Sequence, residues 1–389
     1  MAKLPDYIGP AALGIKMGVI VPACDLLGMV TTAIEKCNDD NLLDNGDVVC
    51  ITESILARAQ GNYVTLENVS QQIRDKLGVS EKGRIGVVFP IASRNRFSLI
   101  LEGIAAAVPQ GEIVLQLSYP RDEVGNDIIS SDYVESLGKE NCDIIKMDEL
   151  GDNEFLHPIT KVNYLKLYKD CIEDQGTKAT IVLCNDASQI TSFNPDGIIA
   201  ADIHTRTKTQ AKIKEQGHNC ITLTDICSQG EKWSEWGLLG SNMSSGKKLK
   251  LAPRESEEFA EQVKEKVYRN TGKDIEVIIY GDGAYKDPTT GIYELADPMP
   301  VFGATKGIYG KFREGVKYKF LADLALDEGK TPQEIESFLK EKKEKALTQN
   351  EIENEGTTPR KKEDVIASLA DLVSGSADAG TPVILVKGF

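Results

Sequence analysis

Carboxylates cluster after a predicted buried strand in the C-terminal half of the sequence. The strand, Val277 to Tyr280, is entirely β-branched or aromatic and ends at Gly281-Asp282-Gly283, where two glycines let a ligand approach the backbone. Carboxylate oxygens at the carboxyl end of a strand suit Mg²⁺. Composition alone nevertheless favours a simpler interpretation, a solvated acidic turn. The four candidate metal ligands of this loop, which is rich in Gly and Pro, are Asp282, Asp287, Glu294 and Asp297.

Arginine side chains follow two other predicted strands. The first strand, over 48–52, runs into a polar break that contains Arg58 close to Gly61, an arrangement suited to phosphate because a guanidinium offers several planar donors. The alternative, that Arg58 merely caps a short helix, has equal weight. The second strand, over 85–89, precedes a loop whose candidate substrate-binding residues are Arg94, Asn95 and Arg96.

A third polar segment follows a predicted strand over 197–201. Asp202, His204 and Arg206 alternate along it, so on an extended backbone they would share one side. Such a group of carboxylate, imidazole and guanidinium could bind an anionic substrate. For a lone histidine, a satisfied helix-capping role is the favoured alternative.

Bulk composition limits the class of protein. A chain of 389 residues with 41% hydrophobic and 27% charged residues predicts two or three globular domains. The net charge of −15 argues against nucleic acid or an anionic membrane as the main partner. The eight cysteines form no C-x-x-C pair and predict buried, reduced thiols. With neither a signal peptide nor a long apolar run in the sequence, we expect a cytoplasmic protein that acts on small molecules.

Strands alternate with helices along the chain, which predicts an α/β fold with a mostly parallel sheet. Asp25 is expected to cap a helix, and Ser256 is expected to cap another that carries Phe259, Val263 and Val267 on one face. Residues 228–250 are expected to form loops, and a strongly charged segment a solvated helical face. The predicted helices cover 65–78, 99–108, 207–216, 256–270, 331–355 and 363–373.

Several short motifs, in order, resemble the F420-0:γ-glutamyl ligase family, also called coenzyme F420-0:L-glutamate ligase. Arg58-Ala59-Gln60-Gly61 stands where that family has Lys-Ala-Glu-Gly, and Ser241-Asn242 and Leu251-Ala252-Pro253 match a later block. Gly380-Thr381-Pro382 precedes a final predicted strand, as in the family. The similar blocks cover about half of the chain, at 14–26, 47–61, 237–283 and 363–388.

The resemblance implies an α/β protein with an F420 glutamate ligase-like core and an inserted Rossmann-like parallel-sheet domain. The implied segments are 1–80 and 231–389 for the core and 81–230 for the insertion. Such ligases use GTP to phosphorylate the acceptor carboxylate, and the amine of glutamate then attacks the acyl phosphate. The resemblance also implies Mg²⁺ or Mn²⁺ and a homodimer, and it leaves GTP or ATP open as the co-substrate.

Site residues carry over from the family one position at a time. The metal set includes Asp378 besides the carboxylates of the acidic loop. Three positions depart from the family: Leu239 replaces a metal-binding Asp, Asp282 lies one residue beyond another, and Ser376 replaces a Glu. The implied nucleotide-binding residues are Val19, Ile20, Glu53, Ser54, Arg58, Asn242, Gly375 and Ser376.

Two main functions therefore remain open, besides a kinase-like activity that stops at the acyl phosphate. One is an NTP- and metal-dependent amide ligase that adds glutamate to a carboxylated small molecule, with coenzyme F420 or a folate-type compound as the acceptor. The other is a non-catalytic nucleotide- or metabolite-binding protein on a degenerate ligase core. Leu239 and Ser376 favour the second function, whereas Asn242, Arg58 and the acidic turn favour the first.

Overall fold

The computed structural model describes residues 7–140, 142–151, 153–158, 160–281, 299–311, 317–345, 361–374 and 380–389. The strands are β1 (Ala11–Ile15), β2 (Val48–Thr52), β3 (Tyr63–Thr65), β4 (Arg84–Val88), β5 (Glu112–Leu117), β6 (Ile145–Lys146), β7 (Lys178–Leu183), β8 (Gly197–Ala200), β9 (Cys220–Thr222), β10 (Asn242–Ser244), β11 (Lys248–Lys250), β12 (Glu276–Tyr280), β13 (Val301–Ala304) and β14 (Val383–Lys387). The α-helices are α1 (Leu26–Asp39), α2 (Glu53–Ala59), α3 (Leu66–Leu77), α4 (Ser98–Ala105), α5 (Ser131–Ser136), α6 (Tyr164–Glu173), α7 (Arg206–Lys214), α8 (Ser256–Thr271), α9 (Tyr318–Asp327), α10 (Pro332–Lys345) and α11 (Lys362–Ser374).

A five-stranded mixed sheet joins the two ends of the described chain, in the order β1-β14-β2-β12-β13. Strands β2 and β12 pair in parallel, while β14 lies antiparallel between β1 and β2. Apolar side chains cover both faces of this sheet. Helices α1 and α8 pack over one face and α11 over the other. Because β2 is buried on both sides, its sequence is an unbroken apolar run rather than an alternating one.

A second sheet has six strands in the order β6-β7-β5-β4-β8-β9, and only its edge strand β6 is antiparallel. The chain moves from β4 through β5 to β7, then crosses back to β8 on the other side of β4. The direction of winding therefore reverses between β4 and β8. This confirms the α/β class with parallel strands, while the Rossmann-like assignment and the limits at 80 and 230 stay predictions.

A small antiparallel sheet of order β10-β11-β3 connects the two larger ones. The segment 228–250, expected to be loop, thus contains a hairpin whose second strand pairs with β3. The sequence does not reveal this hairpin because its partner strand lies far away along the chain. Two side chains beside β3 strengthen the junction: Asn62 donates to Ala252 O at 2.9 Å, and Gln60 donates to Arg254 O at 2.7 Å.

Local capping fixes several helix starts. Asp25 accepts a hydrogen bond from the amide of Gly28 at 2.8 Å, as predicted, and Thr65 and Asn68 form a capping box at the start of α3. The expectation for Ser256 is wrong. Glu255, in the left-handed conformation, precedes the helix and Ser256 is its first residue, so the serine hydroxyl does not accept from the helix amides.

Other expectations on the elements are largely confirmed. Helix α4 ends three residues before the predicted limit of 108, and the charged segment is helical over Pro332–Lys345 where it is described. All eight cysteines are free. Cys142 is exposed and Cys24 and Cys37 are half-buried, against expectation, whereas the buried ones are Cys50, Cys171, Cys184, Cys220 and Cys227. In the part of the chain that the structure describes, no helix is long and apolar enough to cross a membrane.

A buried ion pair ties β14 to the turn ahead of β2. Lys387 Nζ lies 2.5 Å from Asp47 Oδ2 and 2.9 Å from Asp44 Oδ2, and it also donates to Leu42 O. The side chains of Lys387 and Asp47 are only 7% and 6% exposed. Burial alone would lower the pKa of Lys387, but its hydrogen bonds to Asp47 and Asp44 and their negative charges outweigh burial and raise it.

We predict that Lys387→Met lowers the free energy of unfolding by about 3–5 kcal/mol at pH 7, because Asp47 stays buried without its cation. The raised pKa means that the ammonium stabilises the fold fully below about pH 10.4 and loses this effect as the pH rises through the folded-state value. Urea unfolding of both proteins from pH 7 to pH 11 should therefore show a difference that shrinks at the alkaline end.

Lys340→Met, on an exposed position of α10, is the matched control. Its effect should stay within about 0.5 kcal/mol at every pH. Equal losses in the two variants would contradict a stabilising role for the buried pair.

Candidate active site

One edge of the five-stranded sheet collects chain segments that are far apart in sequence. Thr52 pairs with Tyr280, so the carboxyl ends of β2 and β12 lie side by side. The start of β14 lies beside them, where Pro382 O accepts from the Thr52 amide at 3.0 Å. Ile15 at the end of β1 is paired with Val383. We call this edge, formed by the ends of β1, β2 and β12 and the start of β14, the carboxyl edge.

The predicted metal ligands cannot be placed directly. Asp282, Asp287, Glu294, Asp297 and Asp378 all lie outside the described residues, as do the predicted nucleotide-binding residues Gly375 and Ser376. Among the residues that the structure does describe, no group of three or more His, Cys, Asp or Glu side chains could hold a metal ion.

The residues that border the two undescribed segments, 282–298 and 375–379, do lie at the carboxyl edge. Gly281 donates its amide to Pro300 O at 2.9 Å, so the chain leaves the sheet and returns to it at one place. Gly380 O accepts from the amide of Met17 beside the end of β1. Ser374 lies close to Tyr280, whose pKa is raised mainly by burial. Both predicted metal-binding segments therefore begin and end at this edge.

Glu53 and Ser54 open helix α2 at the carboxyl edge and share a cation that the sequence did not single out. Lys250 Nζ lies 2.9 Å from Ser54 Oγ and 3.3 Å from each carboxylate oxygen of Glu53. The Glu53 and Lys250 side chains are 10% and 12% exposed. In the sequence, the only signal for Lys250 is its position between Leu249 and Leu251, which implies a partly covered strand rather than a loop.

Asn242 joins this group through the β10-β11 hairpin, because its backbone pairs directly with Lys250. The structure thus brings together three of the predicted nucleotide-binding residues, Glu53, Ser54 and Asn242. The next residue of the hairpin, Met243, donates its amide to Asn95 O at 2.9 Å. The hairpin therefore touches the loop that follows β4, where the candidate substrate residues lie.

Arg58 lies in the last turn of α2, and its Nε donates to Ile20 O at 2.6 Å. The guanidinium thus links helix α2 to the segment after β1. This contact joins two distant segments, whereas the alternative role of Arg58 was only to cap its own helix. Ile20 is buried in the core, whereas Val19 is 83% exposed. Arg58, itself exposed, remains accessible to a ligand through its other nitrogen donors.

The candidate substrate loops meet where the winding of the six-stranded sheet reverses, a position at which ligands bind in open α/β sheets. Arg94 and Asn95 are exposed and Arg96 is half-buried. Arg96 lines a small pocket with Ile203 and Ser241, so the loops after β4 and β8 do come together. The pocket measures only about 20 Å³, room for one water, and we assign no ligand to it.

The predicted alternation of Asp202, His204 and Arg206 is wrong, because the chain bends after β8 and α7 begins at Arg206. Asp202 is 1% exposed and accepts from the hydroxyls of Thr205 and Thr209, so it organises the bend. Burial raises the pKa of this carboxyl, against the opposing effect of those hydrogen bonds. His204 is exposed, and Arg206 donates back to Ile203 O.

The amides ahead of α7 are occupied by a residue that sequence inspection missed. The Glu123 carboxylate accepts from the amides of Ile203 at 2.7 Å, Thr205 at 2.7 Å and His204 at 3.0 Å. A carboxylate is favoured there by the helix dipole. The chain thus supplies its own anion at the place where an anionic substrate was expected.

Leu239, where the resemblance implies a metal-binding Asp, is a core residue. It is 2% exposed, and it lines the same small pocket as Phe97 and Ile100. Its side chain has no oxygen to offer a cation, and no described carboxylate replaces it among the residues that line the pocket.

No curated protein matches the chain significantly. The profile of the F420-0:Gamma-glutamyl ligase family matches residues 14–388, which spans the carboxyl edge, the six-stranded sheet and the hairpin alike. The chain therefore belongs to the F420-0:Gamma-glutamyl ligase family.

Proposed function

We propose that this protein is an NTP- and divalent-metal-dependent amide ligase that adds glutamate, or a similar amino acid, to a carboxylated small molecule. The observation that carries the proposal is the carboxyl edge, where Glu53, Ser54, Lys250 and Asn242 meet the borders of the acidic loop. Family membership supports the reaction class. Coenzyme F420-0 is the acceptor we favour, a folate-type compound is the alternative, and the co-substrate is GTP or ATP.

The reaction has two steps whose requirements match this edge. A carboxylate oxygen of the acceptor attacks the terminal phosphorus, forming an acyl phosphate and releasing the nucleoside diphosphate. The amine of glutamate then attacks the acyl carbon, the amide bond forms and inorganic phosphate leaves. Lysine and arginine neutralise the charge of the phosphates, and the amide of Asn242 can donate to a phosphate or base. We propose that Arg96, in the loop after β4 that the hairpin contacts at Asn95, binds an anionic group of the acceptor.

A divalent ion suits the donor set at this edge. The sequence of the acidic loop supplies carboxylates, and Gly281, one residue ahead of Asp282, leaves the sheet beside the start of α2. We propose that Asp282 holds Mg²⁺ or Mn²⁺ together with other carboxylates of the acidic loop and Asp378. A bound divalent ion supplies Lewis acidity at the phosphate oxygens. A homodimer is proposed from the family resemblance alone.

A specific observation supports a non-catalytic nucleotide-binding protein as the second candidate. Leu239 is packed into the apolar core, so the metal ligand expected at that position is absent. A protein that kept the nucleotide site and lost the metal would bind without turnover. The two functions differ in a single measurable step, the release of nucleoside diphosphate.

We predict that the purified protein releases nucleoside diphosphate and phosphate in equal amounts when GTP or ATP, glutamate and a suitable acceptor are present with Mg²⁺ or Mn²⁺. Chelation with EDTA should abolish release. Coenzyme F420-0 and folate, each with and without glutamate, identify the acceptor by mass spectrometry of the product. Tight nucleotide binding without turnover of either acceptor would favour the non-catalytic alternative.

We predict that Arg58→Ala weakens nucleotide binding by about 1.5–3 kcal/mol, because a charge-assisted hydrogen bond is lost. The free energy of unfolding should fall by only about 1 kcal/mol, the net value of the bond to Ile20 O. Calorimetry and urea unfolding measure the two losses. Arg269→Ala, on the exposed side of α8, is the control and should change neither. Equal losses in affinity and stability would support a purely structural role.

We predict that Asp282→Asn keeps the fold but removes most of the Mg²⁺ dependence of nucleotide binding, because a charged ligand of a hard cation becomes neutral. Titration of Mg²⁺ at fixed GTP measures this dependence. Asp274→Asn is the matched control, since Asp274 is an exposed acid beside the opposite end of β12. A metal titration of Asp282→Asn that overlays the wild-type curve would contradict the assignment.

A further inference from the structure

Lys250 is covered to an extent that is unusual for a lysine. Its side chain is 12% exposed, whereas Lys248, on the same side of the same short strand, is exposed. Covering an ammonium removes most of its hydration and is unfavourable unless anions or other acceptors replace the water. Lysine normally lies at the protein surface, so the covered position of Lys250 beside the carboxyl edge needs another explanation.

The partners of Lys250 do not use its full donor capacity. An ammonium has three N–H donors. The two oxygens of Glu53 are equally distant at 3.3 Å, as expected for one donor shared between them, and Ser54 Oγ at 2.9 Å accepts a second. The described residues provide no acceptor for the third donor. The ammonium is therefore held in place on one side while it keeps a donor for a ligand.

The surroundings of Lys250 favour a phosphate oxygen as the acceptor for its third N–H donor. Lys250 is paired with Asn242 across the hairpin and lies at the start of α2. Arg58 is further along α2, with its Nε bound to Ile20 O. A compact ammonium binds phosphate as a point charge and, unlike the planar guanidinium, demands no particular plane of approach.

We infer that Lys250 is a phosphate-binding residue of this enzyme, donating to the phosphate chain of the bound nucleotide while Glu53 and Ser54 position its ammonium. The inference rests on the proposed function, since it concerns the nucleotide site. It assigns to β11 a direct contact with the co-substrate. It also explains why a hairpin at the junction of the sheets carries a covered cation.

The test compares binding of GTP, ATP, inorganic tripolyphosphate and guanosine, each with Mg²⁺, to wild type and variants by calorimetry. Lys250→Met should weaken binding of both nucleotides and of tripolyphosphate by roughly 10- to 100-fold, the range expected for one lost charge-assisted hydrogen bond. Guanosine binding should not change, because it has no phosphate. Lys250→Arg should recover part of the affinity, and Lys248→Met should bind like wild type.

The double variant Glu53→Gln/Lys250→Met separates ligand binding from simple neutralisation of Glu53. It removes both charges of the pair, so it avoids a covered carboxylate without a cation, and its affinity should remain low. Recovery of wild-type affinity in the double variant would overturn the inference, as would unchanged affinity in Lys250→Met. A wild-type protein that binds neither nucleotide nor tripolyphosphate would instead contradict the proposed function itself.

Discussion

The parallel pairing of β2 with β12 is the interaction on which the candidate site depends. Its register places Thr52 beside Tyr280 and so sets Glu53 and Ser54 next to the residue that leads into the acidic loop. The pairing is fixed by apolar side chains on both faces, since Val49, Ile51, Val277 and Ile279 face one layer of helices and the intervening residues face the other. A one-residue slip would turn every one of these side chains to the opposite layer.

Charge at the carboxyl edge is balanced locally. A protein with a net charge of −15 needs local cations wherever it is to bind phosphates, and the proposed nucleotide site is at this edge. Lys250 and Arg58 both lie at the start or end of α2, each held by a contact to another segment of the chain. At the far end of the same sheet, Lys387 serves a different purpose, because its acceptors Asp47, Asp44 and Leu42 O hold it in the interior.

Sequence inspection predicted the parts of the fold that local signals determine. Buried strands such as β2 and β12, and helices with a capping residue or a terminal glycine such as α1 and α3, follow from periodicity and capping chemistry. Sequence inspection failed where the local structure depends on a strand or side chain that lies far away along the chain. The β10-β11 hairpin exists because β3 pairs with it. The chain bends at Asp202 because the hydroxyls of Thr205 and Thr209 donate to its carboxylate, while Glu123 accepts from the Thr205 amide. Lys250 was missed for the same reason, since its role appears only when Glu53 and Ser54 are beside it.

The central position of β14 has a consequence for how the protein forms during translation. This strand lies between β1 and β2, yet it follows both of them, the six-stranded sheet and β12 along the chain. While the ribosome is still synthesising the segments before β14, β1 has no neighbour in this sheet and one edge of β2 is open. Unpaired apolar edges of this kind are the surfaces that chaperones recognise and that aggregate. The carboxyl edge can therefore assemble only after β14 has left the ribosome.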